Sequence, residues 1–276
     1  MSKIFLTSHL MGGLGNQMFQ IAKALSESFN HNLPCFFKSH SFIPMEGRQP
    51  TNYEKNIFRN VIFDDTKIPS VRVSEPSWSY HNVKHLYNQP TEFYGYFQSS
   101  KNFLSYGEKI KKIFLPTDEF IKKIKQFYPE VFEKNSVSIH VRRGDYIGIS
   151  NILPVIDKSY IDECVNTIGN YSKIFIFSND KEWVKNNLSY QNSTVVEGLE
   201  DYEELWMMSL CNHNVMSNSS FSWWGSYLNL NEDKKIFVPS TWFGPQGETY
   251  YQDVYEDNWI KIETIFDDGK IKIKNK

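Results

Sequence analysis

Between residues 137 and 239 the chain alternates short β-branched or aromatic runs with amphipathic stretches, and this rhythm restricts the fold more than any other feature. Strands are expected at 137–141 (VSIHV), 173–178 (KIFIFS), 193–196, 214–217 and 235–239 (KIFVP), the last closing the series. Helices are expected between them, near 159–169, 180–188, 201–211 and 220–229. Ile161, Cys164, Val165 and Ile168 share one face of the first helix, and Tyr202, Leu205, Met208 and Cys211 share one face of the third. Strands that alternate with helices of this length form a parallel sheet joined by right-handed crossovers. Such a sheet binds its ligands beyond the carboxyl ends of its strands.

The residues just past each expected strand are therefore the candidates for chemistry. They are Arg142, Arg143 and Asp145, then Asn179 and Asp180, then Glu197, then Asn218, Ser219 and Ser220, then Ser240 and Thr241. An isolated Arg-Arg pair most often forms surface ion pairs. Gathered on one edge with hydroxyls and carboxylates, it becomes a diphosphate site, because the planar guanidinium matches phosphate oxygens in pairs. Backbone N–H groups of Ser219, Ser220 and Phe221, at a helix start, would add donors and a favourable dipole. Asp180 could accept the paired N–H groups of a guanine. Asn218–Ser220 and Asp180 also suit helix capping.

The N-terminal part reads less regularly. A strand at 3–7 leads into MGGLGNQ and a helix over 17–29, striped by Met18, Ile21, Ala22, Leu25 and Phe29. Gly13 and Gly15 begin a dinucleotide fingerprint, but Met18 stands where its third glycine belongs. The two glycines would still let a backbone approach a ligand. Asn16 and Gln17 could face a sugar or cap the helix. Residues 34–90 show no period and are expected to hold irregular structure and short helices. Residues 92–103 (EFYGYFQSSKNF) suggest a strand and a turn whose aromatics build core or stack on sugar rings. Residues 109–127 form a lysine-rich amphipathic region broken at Pro116. The domain boundary is expected within 116–136, dividing the chain into 1–130 and 131–276.

Charge and cysteine content narrow the function. With 30 basic and 32 acidic residues in 276, the chain is no dedicated nucleic-acid binder. Cys35, Cys164 and Cys211 are scattered, which suits buried thiols in a reducing compartment. The N-terminus makes a poor signal peptide, and no apolar run approaches the ~20 residues that span a bilayer. A cytoplasmic protein is expected, at most peripheral to a membrane. The sequence contains no P-loop, no HExxH and no D-x-D triplet. Departing phosphate charge would then be met by arginine, with no metal and no cofactor.

In several ordered blocks the chain resembles the bacterial α-1,2-fucosyltransferases of glycosyltransferase family 11, which use GDP-fucose. The blocks are GGLGNQMFQ (12–20), GYFQSSKNF (95–103), HVRRGDY (140–146), FSND (177–180), NSSFSWWGSYL (218–228) and PSTWFG (239–244). The resemblance implies an α/β fold of the GT-B type, with two Rossmann-like domains facing across a cleft. The N-terminal domain would serve the acceptor, and the C-terminal parallel-sheet domain would hold GDP-fucose. It implies Arg142 as the diphosphate ligand, supported by His140 and Arg143, with Asp145 orienting the motif. Asn218, Ser219 and Ser220 match the family's NST-like block, and Asn16 falls where related fucosyltransferases reach across the cleft.

The implied reaction inverts GDP-β-L-fucose to an α-1,2 product on O2 of a galactose-terminated oligosaccharide or lipid-linked glycan. Asp145 and His140 are both candidates for a base, beside a route without one. Another fucosyl linkage, or a non-catalytic GDP- or glycan-binding module, is the alternative. Adhesion through Arg143–Gly144–Asp145 is disfavoured, because that tripeptide directly follows a strand and the chain carries no secretion signal.

Overall fold

A computed structural model describes residues 4–40, 48–66, 70–82 and 87–274. The chain divides into two compact units, Met1–Leu115 with Tyr250–Glu256, and Pro116–Thr249 with Asp257–Lys276. Among the described residues, no helix is long and apolar enough to cross a membrane.

The first unit holds β1 (Leu6–Ser8), α1 (Leu14–His31), β2 (Val71–Ser74), β3 (Thr91–Tyr94) and α2 (Gly107–Phe114). Its sheet runs β1-β3-β2, and both pairings are parallel. Helix α1 begins at Leu14, three residues ahead of the expectation, because extended Gly13 serves as its N-cap. Met18, Ile21, Ala22 and Leu25 of the expected stripe are buried. Phe29 is half-buried and packs on Tyr106, with ring centroids 5.5 Å apart. The strand β2 corrects the expectation of irregular structure over 34–90. It is an edge strand whose Val71, Arg72 and Ser74 are exposed, so its sequence carries no apolar alternation.

The second unit holds α3 (Asp118–Phe127), β4 (Val137–Val141), α4 (Gly144–Ile147), β5 (Val155–Ile156), α5 (Lys158–Ile168), β6 (Ile174–Ser178), α6 (Lys181–Asn187), β7 (Ser193–Val195), α7 (Asp201–Leu210), β8 (His213–Val215), α8 (Ser220–Tyr227), β9 (Ile236–Pro239), β10 (Ile260–Ile262), β11 (Thr264–Asp267) and β12 (Lys270–Ile273). It starts at Pro116, inside the expected interval but ahead of residue 130, because α3 packs on this unit. The Phe120 ring lies 5.3 Å from that of Trp206, and Lys123 Nζ donates to Glu203 over 2.6 Å.

The sheet does not end at β9. β10 extends it in parallel, and β11 and β12 form an antiparallel pair whose second strand joins β5. Residues 240–259 separate these strands from the earlier alternation, and their short Lys/Ile runs carry no helix between them. The period that reveals β4, β6, β7, β8 and β9 stops before they begin.

Strand order is the feature that positions a site. The six-stranded sheet runs β10-β9-β8-β4-β6-β7, entirely in parallel. From β4 the chain steps outward through β6 and β7, then returns to the opposite side of β4 and steps outward through β8, β9 and β10. Connections from β4 and β8 therefore leave in opposite directions, which opens a crevice at the carboxyl ends of these two neighbours. Strand β4 is buried on both faces. Val137, Ile139 and Val141 join the core that contains Tyr160, Ile161, Cys164 and Val165 of α5. Ser138 and His140 face the other side, where hydrogen bonds satisfy them: Asn214 Nδ2 donates to Ser138 Oγ over 2.7 Å, and His140 Nδ1 lies 2.8 Å from Ser217 Oγ.

Candidate active site

The switch point brings HVRRGDY and the start of NSSFSWWGSYL together. The two arginines that leave β4 meet different surroundings. Arg143 Nε donates to Asp180 Oδ2 over 3.2 Å, and its guanidinium lies 4.1 Å from the centre of the Trp183 ring. Arg142 donates through Nη2 to Asp145 Oδ2 over 2.8 Å and lies 5.5 Å from the Tyr146 ring. The Arg142 side chain is 26% exposed and that of Arg143 is 14% exposed, so Arg142 is the more open to a ligand.

The loop between them is fastened across the sheet. Asn179, just past β6, accepts from Arg143 N at 3.0 Å and donates to Asp145 Oδ1 at 3.4 Å. A Cβ on Gly144 would overlap the Asn179 amide, so this position admits only glycine without a shift. Asp180 accepts from Trp183 N at 3.1 Å as the N-cap of α6, so it caps a helix and pairs with Arg143 at once.

Beyond β8, Ser217, Asn218 and Ser219 are buried ahead of α8. Ser219 is the N-cap; its hydroxyl accepts from Phe221 N, and its own N–H donates to Ser217 O at 2.8 Å. Ser220 opens the helix, whose first turn presents its positive end to this edge. Asn218 Nδ2 donates to Pro154 O and Trp242 O, while Asn218 Oδ1 is buried with no hydrogen-bond partner. A buried acceptor left unmatched is uncommon, and here it sits at the crevice. Tyr146 Oη donates to Asn218 O at 3.3 Å, tying the two motifs together. Burial, with a smaller contribution from the Asp145 charge, pushes the Tyr146 hydroxyl up to about 12, so it stays a donor.

His140 is buried, with its ring 5.4 Å from that of Phe221. Burial first, and the Arg142 charge second, lower its pKa to about 3. The imidazole is therefore neutral at ordinary pH, holding Ser217 rather than carrying charge. Among the described residues, no group of three His, Cys, Asp or Glu side chains gathers to hold a metal ion.

Gly13, Gly15 and Asn16 belong to the first unit. Gly13 caps α1 and has open space around it, and Gly15 is buried in the first turn. The left-handed conformation falls instead on Gly12, at φ +74, where a Cβ would overlap the Asn16 side chain. Asn16 Oδ1 accepts from Gln98 Nε2 over 2.7 Å, which joins the GGLGNQMFQ and GYFQSSKNF blocks. Ser217, Tyr146, Gly12 and Gln98 were not singled out as site residues by the sequence, and Asn179 was singled out only as a strand-end position. Asn179 and Ser217 do flank expected strand ends, and Gln98 sits in a quoted block. The crossing partners of these four lie 72 or more residues away or depend on a backbone turn.

A doubly wound parallel sheet, with an arginine and a helix N-terminus at its switch point, is the arrangement in which open α/β proteins place their ligands. The family described as Glycosyl transferase family 11 matches residues 2–263, and the chain belongs to that family. An alpha-1,2-colitosyltransferase of Escherichia coli is 30% identical to it, covering 94% of this chain and 99% of the relative. An O-antigen biosynthesis glycosyltransferase of the same organism, WbnK, is 27% identical over 92% of this chain and 99% of its own length. Among solved structures, the fucosyltransferase NodZ from Bradyrhizobium superposes with a TM-score of 0.57 at 12% identity, covering 82% of this chain and 92% of NodZ. The fold is thus the expected α/β GT-B type, and the protein is a family 11 glycosyltransferase.

Proposed function

We propose that the protein transfers L-fucose from GDP-β-L-fucose to O2 of a terminal galactose, inverting the donor to an α-1,2 linkage. Arg142 carries this reading. It is the partly open arginine at the switch point, on the edge that also receives the N-terminus of α8. The departing diphosphate gains charge as the glycosidic bond breaks, and a fixed guanidinium with a helix dipole meets that charge without reorganising. Asp145 orients Arg142, Arg143 braces the loop through Asp180, and His140 positions the β8–α8 turn through Ser217. Asn218, Ser219, Ser220 and Phe221 complete the nucleotide side. Gly13, Gly15 and Asn16 belong to the acceptor-side unit. No metal is required in this scheme, so turnover should survive EDTA. The α-1,2 linkage is supported by the linkage in the name of the colitosyltransferase relative. That name also favours a second reading, a colitosyl donor with the same linkage.

The test is GDP release from GDP-fucose, and from a colitosyl donor, against a panel of galactosides, with product linkage read by NMR. Release with a β-galactoside and an α-1,2 product supports the proposal. No release from GDP-fucose with any galactoside overturns the fucosyl reading, and a different linkage overturns the acceptor position.

A further inference from the structure

A cluster of titratable side chains is built around the carboxyl end of β1, in the first unit. His9 follows that strand directly, and its N–H donates to Phe93 O at 2.9 Å, which fixes its backbone. Thr7 and Arg72 both stand opposite Glu92 in the sheet register. Residues two apart on a strand share a face, so His9, Glu92, Tyr94 and Arg72 lie on one side of β1-β3-β2. Arg72 reaches one Glu92 oxygen, Oε2, through Nε at 2.9 Å and through Nη2 at 2.7 Å, and its guanidinium covers the Tyr94 ring at 4.4 Å. The other oxygen, Oε1, faces His9 Nδ1 at 3.8 Å.

This arrangement orients an imidazole. The Tyr94 ring packs beside that of His9, with centroids 5.4 Å apart and planes at 46°. The His9 ring first lowers the Glu92 pKa; burial opposes it, and Arg72 lowers it further, to about 2. The carboxylate is therefore ionised at neutral pH, and its charge places the His9 proton on Nδ1 and leaves the Nε2 lone pair available. A separation of 3.8 Å exceeds hydrogen-bond length, as such contacts often do before a substrate binds. The His9 side chain is 30% exposed, and among the described residues nothing hydrogen-bonds to Nε2. The carboxyl end of a parallel strand is also where such sheets meet their ligands. The groups considered for a base at the arginine edge are already engaged: Asp145 by Arg142 and Asn179, and buried His140 by Ser217.

We propose that His9 is the general base of the transfer, with Glu92 as its positioning residue. Nε2 takes the proton of the attacking acceptor hydroxyl as that oxygen bonds to C1 of the donor sugar. The bond from C1 to the diphosphate oxygen breaks, and its electron pair leaves on that oxygen. The imidazolium, now paired with Glu92, returns its proton to water before the next turnover. Histidine is the side chain most often given this work. The role as base rests on the glycosyl-transfer reading above; the cluster and its orientation do not.

The full-length protein is assayed with a panel of β-galactosides and with GDP-fucose, or with the colitosyl donor where the wild type uses that instead. Single-turnover rates are followed from acid to neutral pH in the wild type, His9→Ala and Glu92→Gln. His9→Ala should slow transfer by about 10²-fold or more, the range for a general base. It should also lose the acid limb of the wild-type profile, where the imidazole is protonated, and regain rate with added imidazole. Glu92→Gln should slow transfer less and gain nothing from imidazole. GDP affinity, read by calorimetry, should be unchanged in both. Rescue and the lost acid limb separate a base from a residue that only supports the fold. Transfer by His9→Ala within about twofold of wild type, or a slowed variant whose profile keeps the acid limb, overturns the base and leaves the transfer reading standing. Absence of transfer by the wild type with every galactoside and both donors rejects the transfer reading and the base with it.

Discussion

Arg142 and Arg143 are adjacent and chemically identical, yet their surroundings assign them different work. Arg143 is committed to Asp180 and the Trp183 face, whereas Arg142 is held by Asp145 and keeps more of its surface open. Arg142→Ala should therefore lower kcat/KM by about 10²–10³ with the fold retained, the loss typical of a transition-state charge donor; circular dichroism beside steady-state kinetics checks this. The sequence placed both arginines at a strand end, but it could not separate them by local pattern. The difference lies in Asp180, 37 residues away, and resemblance to the family singled out Arg142 instead.

His140 gives a pH-dependent prediction at the same scale. Its folded pKa of about 3 lies below the ordinary value near 6.5. Between those values the unfolded chain binds the proton and the folded chain does not. The stability this group contributes is complete above about pH 6.5 and falls as pH drops toward 3. Urea midpoints should fall between pH 7 and pH 5, and His140→Gln should flatten that dependence. An equal slope in the variant contradicts the assignment.

At the scale of elements, β4 shows how a polar residue enters a strand buried on both faces. Asn214 donates to Ser138 Oγ and Met208 O, and Asn229 Nδ2 donates to Asn214 Oδ1 over 2.7 Å. Asn214→Ala leaves these buried partners unmatched and should cost about 1–3 kcal/mol, measured from the urea midpoint. The loop after β4 is equally constrained. Gly144→Ala would push Asn179 away from Arg143 N and Asp145, so donor KM should rise several-fold while the urea midpoint changes little.

The alternation that exposed β4, β6, β7, β8 and β9 was legible because a helix follows each of the first four. The strands β2, β5, β10, β11 and β12 were not. They are short, they lie at sheet edges or form added pairs, and β2 buries almost no side chain. Their existence depends on partners far along the chain, which a local period cannot reveal.

At the scale of the whole molecule, the order β10-β9-β8-β4-β6-β7 converts a list of strand-end residues into a site. The sequence predicted a parallel sheet and which residues lie past its strands, but not that β4 and β8 are neighbours. That adjacency comes from the crossover back from β7, and it brings the arginine block and the NSS block to one edge. The molecule also buries all three of its free cysteines, and desolvation pushes each thiol upward. Thiol reagents should accordingly label none of them in the native protein and all three after denaturation.

The central claim is that the switch point between β4 and β8 grips a diphosphate through Arg142. Calorimetric titration of GDP and GMP into wild type and Arg142→Ala tests it most directly. Wild type should prefer GDP over GMP by about 10- to 100-fold, the range for a hydrogen bond to a charged group, and the variant should lose that preference while binding GMP unchanged. The same GDP-to-GMP ratio in both proteins would contradict the account.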